Sequence, residues 1–248
     1  MNNVLILGCA RSGTSILGEF FEHFPGYQYL FEPVLQTGNY AAAFNGTGRP
    51  LAVKRPKAPH ADAAGFTPGL AFNWDALRLS FPAPFVVIWI VRHPLDAVCS
   101  LRPGILSDWN HSPRPLDWQH LQTQPWEIRC ATHWTNINES GFEAVRSEAR
   151  IIRYEDLVAN PLAVSERLKD WIGWSGPTPG GAGAWIEKIG NRKGGPAYEA
   201  KHQSRWSEEN HRARVGRHRE NLTAEQRQTV VTITRATAAK FQYDLSAP

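Results

Sequence analysis

At 248 residues, 42% hydrophobic and 20% charged, the chain is long enough for one large α/β domain over residues 1–248, with no linker to divide it. Its net charge of +4 suits a small anionic ligand and is too small to imply nucleic acid without a concentrated patch. Arg and Lys are dispersed, apart from a C-terminal cluster (Arg205, Arg212, Arg214, Arg217, Arg219) mixed with acids and histidines. Three widely spaced cysteines (Cys9, Cys99, Cys130) argue against a disulfide framework and fit a reducing compartment. The chain opens Met1-Asn2-Asn3 without a basic leader, and its most apolar internal run (residues 85–91) is too short to cross a bilayer. The expectation is a cytoplasmic protein with no membrane insertion.

The first predicted strand, Val4-Leu5-Ile6-Leu7, runs directly into Gly8-Cys9-Ala10-Arg11-Ser12-Gly13-Thr14-Ser15. The spacing is that of a Walker A loop, except that Thr14 stands where the phosphate-binding lysine belongs. Gly8 and Gly13 let the backbone approach an anion. The outward amides and the dipole of the following helix favour negative charge. Arg11 adds a guanidinium suited to phosphate or sulfate oxygens. Ile16, Leu17, Phe20, Phe21 and Phe24 share one helical face, and Pro25-Gly26 ends the helix.

A short strand over 27–31 ends at Glu32, which Pro33 holds in an extended conformation. Another, Leu51-Ala52-Val53, ends at Lys54, with Arg55 and Lys57 close behind. The run from Phe85 to Val91 is apolar and rich in β-branched residues, the pattern of a strand buried on both faces of a parallel sheet. It ends at Arg92, and Pro94 opens a helix carrying Leu95, Val98, Cys99, Ser100 and Leu101. A Walker B strand would end in an aspartate that holds magnesium. Here an arginine takes that place, so the site is expected to hold its anion with protein cations and no metal.

Trp109, Trp118, Trp126 and Trp134 crowd the middle of the chain. They read as packing of a lid or, less simply, as stacking surfaces for a ring-bearing ligand. A strand over 151–153 leads into Tyr154-Glu155-Asp156, read as structural support beneath the site, and Asn160-Pro161 starts a helix. Residues 176–183 (Gly-Pro-Thr-Pro-Gly-Gly-Ala-Gly) read as a surface loop. Asn191-Arg192-Lys193-Gly194-Gly195 is a basic glycine loop. Arg217 and Arg219, just ahead of a capping box at Thr223–Gln226, are further candidates to reach the site. The nine histidines show no metal-ligand spacing, and His93 and His133 stand isolated in the sequence.

Two loops of this kind resemble those of the sulfotransferases that use 3′-phosphoadenosine 5′-phosphosulfate (PAPS). Gly8 to Ser15 is similar to their 5′-phosphosulfate loop, and Arg92 with Ser100, eight residues apart, is similar to their 3′-phosphate pair. The N-terminal stretch, including Tyr29-Leu30-Phe31-Glu32-Pro33-Val34, most resembles the carbohydrate 6-O-sulfotransferases. Ile152-Arg153-Tyr154-Glu155-Asp156-Leu157 resembles an Arg-Tyr-Glu-Asp-Leu motif. Gly216-Arg217-His218-Arg219 resembles a Gly-Arg-Trp-Arg segment with His218 in place of tryptophan, and Phe241-Gln242-Tyr243 a Phe-Gly-Tyr ending. The likeness weakens over about 102–145.

The resemblance implies an α/β fold of P-loop type, three layers with a central parallel sheet flanked by helices. It implies transfer of a sulfuryl group from PAPS to an acceptor hydroxyl, leaving adenosine 3′,5′-bisphosphate (PAP), without a metal. Glu32 is then the general base and Lys54 the cation for the leaving oxygen. Arg11, Ser12, Gly13, Thr14 and Ser15 hold the 5′-phosphosulfate, while Arg92 and Ser100 hold the 3′-phosphate. Arg192-Lys193-Gly194 is similar to a loop that closes over the 3′-phosphate, and reads equally well as a plain turn. A P-loop kinase or NTPase, and a non-catalytic PAP-binding protein, are the competing readings. The class of acceptor (sugar, peptide, lipid or small metabolite) stays open.

Overall fold

Alternation along β1 (Asn3–Gly8) sends its side chains into two different cores. Leu5 and Leu7 join Val87, Trp89 and Val91 on one face of the sheet, whereas Val4 and Ile6 join Ile88 and Ile90 on the other. A computed structural model describes residues 1–31, 48–54, 74–106, 115–191 and 211–245 of the chain. Among these, five parallel strands lie in the order β2-β3-β1-β4-β5, with β2 at Gln28–Phe31, β3 at Leu51–Lys54, β4 at Phe85–Val91 and β5 at Ala149–Arg153. β1 sits at the centre, with Leu5 paired to Val53 on one side and to Val87 on the other. The expected three-layer α/β fold is the observed one.

The first face is covered by α3 (Pro94–Leu106), α5 (Trp126–Asn136) and α11 (Ala224–Lys240). The second is covered by α1 (Thr14–His23), α7 (Tyr154–Ala159), α8 (Pro161–Ile172) and α9 (Gly180–Asn191). Four shorter α-helices, α2 (Trp74–Ser80), α4 (Trp118–Gln122), α6 (Phe142–Val145) and α10 (His218–Asn221), and a 3-10 turn at His211–Arg214 lie among the described residues. A π-helical segment, Ile137–Gly141, joins α5 to α6 and carries Asn138, whose side-chain oxygen accepts from Trp89 Nε1 at 3.1 Å. Two caps follow the sequence signals directly. Asn160 accepts from the Ala163 amide at 3.1 Å ahead of Pro161, and Thr223 with Gln226 closes both bonds of a capping box.

One expectation is corrected. Residues 176–183 are not loop throughout, because α9 begins at Gly180. Glycine disfavours a helix interior by about 1 kcal/mol per residue, but burial decides here. Trp185 is fully buried against Phe20, with ring centroids 5.1 Å apart, and its indole donates to the Ile16 carbonyl. Burying an aromatic of that size is worth several times the local cost.

Candidate anion-binding site

With every strand parallel, β1, β3 and β4 end on the same edge of the sheet, and the residues after them meet there. The turn after β1 is built around two glycines. Gly8 has φ 142°, and a Cβ there would lie 2.2 Å from the Ile90 carbonyl oxygen. Gly13 has φ 100°, and its Cβ would lie 2.6 Å from Cδ2 of Tyr154. Between them Arg11 adopts φ 67°, a left-handed conformation that costs a non-glycine residue about 1–2 kcal/mol. The Ser12 amide folds back onto the Cys9 carbonyl at 3.2 Å, and Gly13 starts α1 by accepting from Leu17 at 3.0 Å. Ser12 is 0% exposed, and its hydroxyl has no hydrogen-bond partner among the described residues.

Arg92 is 2% exposed and ties three parts of the site together. Nη1 donates to the Arg11 carbonyl at 3.2 Å, and Nη2 donates to the Arg214 carbonyl at 2.7 Å. The guanidinium lies over the Tyr154 ring, 4.4 Å from its centroid. Its Nε is buried with no partner among the described residues. The Arg92 carbonyl is also used, accepting from Trp134 Nε1 at 3.1 Å. Trp134 is thus a packing residue beneath the strand end, and Trp118 is likewise buried. Ser100 is buried on α3.

Lys54 ends β3 and is 3% exposed. It pairs in register with Phe31, and its Nζ lies 3.9 Å from that ring's centroid. Glu32, Arg192, Lys193 and Gly194 lie outside the described residues, as do Arg55, Lys57 and Trp109.

Beneath the loop the Tyr154-Glu155 pair acts as a brace. Tyr154 Oη bonds to His211, whose Nδ1 is 3.1 Å away. Glu155 accepts from the His93 amide at 2.9 Å and from Tyr243 Oη at 2.6 Å, while Arg153 lies over the Tyr243 ring at 4.3 Å. His93, isolated in the sequence, has a partner in the fold: its ring stacks on His218 at 5.4 Å and meets Tyr243 edge-on. Burial lowers the His93 pKa to about 4, helped by His218, Arg153 and Arg92 and opposed by Asp96. The Asp96 carboxylate accepts from the Gly216 amide at 2.7 Å, the His218 amide at 3.1 Å and His218 Nδ1 at 2.8 Å. Burial alone would raise its pKa; the bond from the His218 side chain, the Arg92 charge and the two amides outweigh that and lower it. The sequence shows Gly216-Arg217-His218 as a motif but gives no sign of its partner, since Asp96 lies 120 residues earlier.

The three cysteines are free and buried. Burial raises all three thiols, Cys99 to about 11, so none is poised as a thiolate. Among the described residues no cluster of histidine, cysteine, aspartate and glutamate is arranged to hold a metal ion, and no helix is long and apolar enough to cross a membrane.

Residues 26–179 match the model of the Sulfotransferase family. The chain belongs to that family. No curated protein matches it significantly in sequence. Solved sulfotransferases share its fold. Mouse sulfotransferase SULT7A1, solved with PAP, superimposes with a TM-score of 0.62 at 14% identity, covering 96% of this chain and 84% of that one. The sulfotransferase domain of the Synechococcus PCC 7002 olefin synthase gives 0.58 at 16% identity, covering 100% and 96%. Retinol dehydratase, solved with androsterone and inactive cofactor PAP, gives 0.57 at 12% identity, covering 99% and 82%. The family match takes in Lys54, Arg92 and Ser100; the glycine loop of this sulfotransferase precedes it, and the Gly216–His218 segment follows it.

Proposed function

We propose that this sulfotransferase takes a sulfuryl group from PAPS and transfers it to an acceptor hydroxyl. The observation that carries the reading is the Arg92 guanidinium fixed to the backbone of the glycine loop, with two buried polar atoms, Ser12 Oγ and Arg92 Nε, left without partners among the described residues. Unsatisfied buried donors are rare unless a ligand completes them, and the donor set of amides, hydroxyl and guanidinium fits phosphate and sulfate oxygens. Bound there, PAPS would supply an activated sulfuryl group on a phosphate leaving group. PAP in the solved complexes of SULT7A1 and retinol dehydratase supports the same nucleotide for this chain.

In this reading Arg11, Ser12, Gly13, Thr14 and Ser15 bind the 5′-phosphosulfate, and Arg92 with Ser100 binds the 3′-phosphate. Glu32 takes the proton from the acceptor hydroxyl, and Lys54 brings positive charge to the departing phosphate oxygen. Arg192, Lys193 and Gly194 are assigned to the 3′-phosphate on sequence resemblance alone. The resemblance of the N-terminal motifs to carbohydrate 6-O-sulfotransferases makes a sugar hydroxyl the first acceptor class to screen. Three buried cysteines without a disulfide support a cytoplasmic setting.

Calorimetry with PAP, ADP and AMP, with and without magnesium, tests the reading. Tight, magnesium-independent binding that requires the 3′-phosphate is expected. Preference for ADP with magnesium overturns it in favour of a nucleoside-phosphate enzyme. Glu32→Gln is expected to keep PAP binding while turnover with any accepted hydroxyl falls by orders of magnitude. Unchanged turnover removes Glu32 as the base.

A further inference from the structure

The carboxylate of Asp96 is 1% exposed and accepts three hydrogen bonds from a single short segment, two from backbone amides and one from the His218 ring. Burying an ion is costly, and here the three donors that offset the cost all come from one segment, whose register they fix. The residue whose register is fixed is Arg217, which lies between the two amides held by Asp96. Its side chain is half-buried, with a terminal nitrogen out of solvent. Ser100 lies one helical turn beyond Asp96 on the same face of α3, so the clasped segment sits next to it. From the same segment the Arg214 carbonyl grips Arg92 at 2.7 Å. By contrast, Arg219 is exposed, and its carbonyl accepts from Arg227. The clasp therefore seats the segment that carries Arg217 beside Asp96 and the Arg92 guanidinium, with Arg217 half-buried and Arg219 in solvent.

We propose that Arg217 is a second guanidinium of the 3′-phosphate subsite, beside Arg92 and Ser100, and that Asp96 is the positioning residue that delivers it. The proposal rests on the reading that the donor nucleotide carries a 3′-phosphate. A dianionic phosphate commonly takes more than one cation, and Arg92 spends two of its donors on backbone carbonyls. A second arginine from a segment 120 residues further along would also make nucleotide binding depend on docking of the C-terminal segment.

The test compares PAP with AMP, which lacks the 3′-phosphate, on the full chain by calorimetry. In Arg217→Gln, PAP affinity is expected to fall roughly 10- to 100-fold while AMP affinity stays within about twofold, as for loss of one charge-assisted contact. Arg217→Lys should recover part of the loss, and Arg219→Gln should change neither ligand. Asp96→Asn should lose PAP affinity in the same selective way as Arg217→Gln. Should Asp96→Asn fail to fold, Arg217→Gln decides alone. An unchanged PAP-to-AMP ratio in Arg217→Gln, or an equal loss of both ligands, overturns the proposal. A wild-type protein that does not distinguish PAP from AMP overturns the underlying reading as well, and is told apart from the other outcomes because no variant is needed to see it.

Discussion

The Arg92 side chain donates to the backbone carbonyl of Arg214, 122 residues further along the chain, at 2.7 Å. With its second bond to the Arg11 carbonyl it links the first loop of the protein to the last segment before α11. Arg92 is therefore both a candidate ligand and a fastener. Arg92→Ala removes a buried, hydrogen-bonded charge and leaves two carbonyls to find new donors. A stability loss of about 3 kcal/mol is expected, together with loss of measurable PAP binding. Arg92→Lys should rescue little, because a single ammonium cannot reproduce two diverging bonds and a stack on Tyr154. Urea midpoints and calorimetry on the two variants check this. Full binding by the lysine variant removes the argument from two diverging bonds.

Gly13→Ala separates backbone strain from steric blockage. At φ 100°, with Tyr154 in the way, the added methyl must displace either the loop or the ring. Gly173 provides the control. It has φ 73°, and a Cβ there meets nothing within 4 Å. Gly173→Ala should cost about 1 kcal/mol from strain alone and leave PAP binding unchanged. Gly13→Ala should cost more and abolish PAP binding. Equal effects of the two substitutions would show that the packing against Tyr154 is unimportant.

The frame of this site was legible because it depends on local patterns. Apolar runs that end in Gly8, Lys54 and Arg92 marked three strands, and parallel pairing brought their ends to one edge. The braces were not legible. Asp96 with His218, Tyr154 with His211 and Glu155 with Tyr243 join residues far apart in sequence, and nothing in a single chain's spacing announces such pairs. α9 was missed for a related reason: Gly180 and Gly183 look like loop until the burial of Trp185 is known.

Acid should weaken the fold through His93 first and Asp96 second. His93 titrates at about 4 in the folded protein against an ordinary 6.5, so between these values the unfolded chain takes up a proton that the folded chain refuses. Stability therefore falls as pH drops from 6.5 towards 4, by at most about 1.4 kcal/mol per pH unit. Asp96 has a lowered pKa, so its contribution is present above the ordinary aspartate value and is lost as pH falls through the folded one. Urea unfolding from pH 7 to 4 should show this decline, and His93→Gln should flatten it. An equally steep profile in the variant would assign the acid sensitivity elsewhere.

Lys54 offers a test that distinguishes charge from packing. Its long side chain fills space at the end of β3 and its ammonium lies over Phe31, so Lys54→Met keeps most of the volume and removes only the charge. A buried lysine kept only for structure should be replaced with a loss of stability and no loss of turnover, because its contact over Phe31 goes with the charge. A lysine kept for a leaving phosphate should be replaced at the expense of turnover. The expected result is kcat lower by about 100-fold or more, the scale of losing one charge-stabilising group, and PAP affinity lower by less, whatever the shift in thermal midpoint. A variant that retains full kcat would reduce Lys54 to a packing residue and leave the departing oxygen to Arg11 and the amides of the loop.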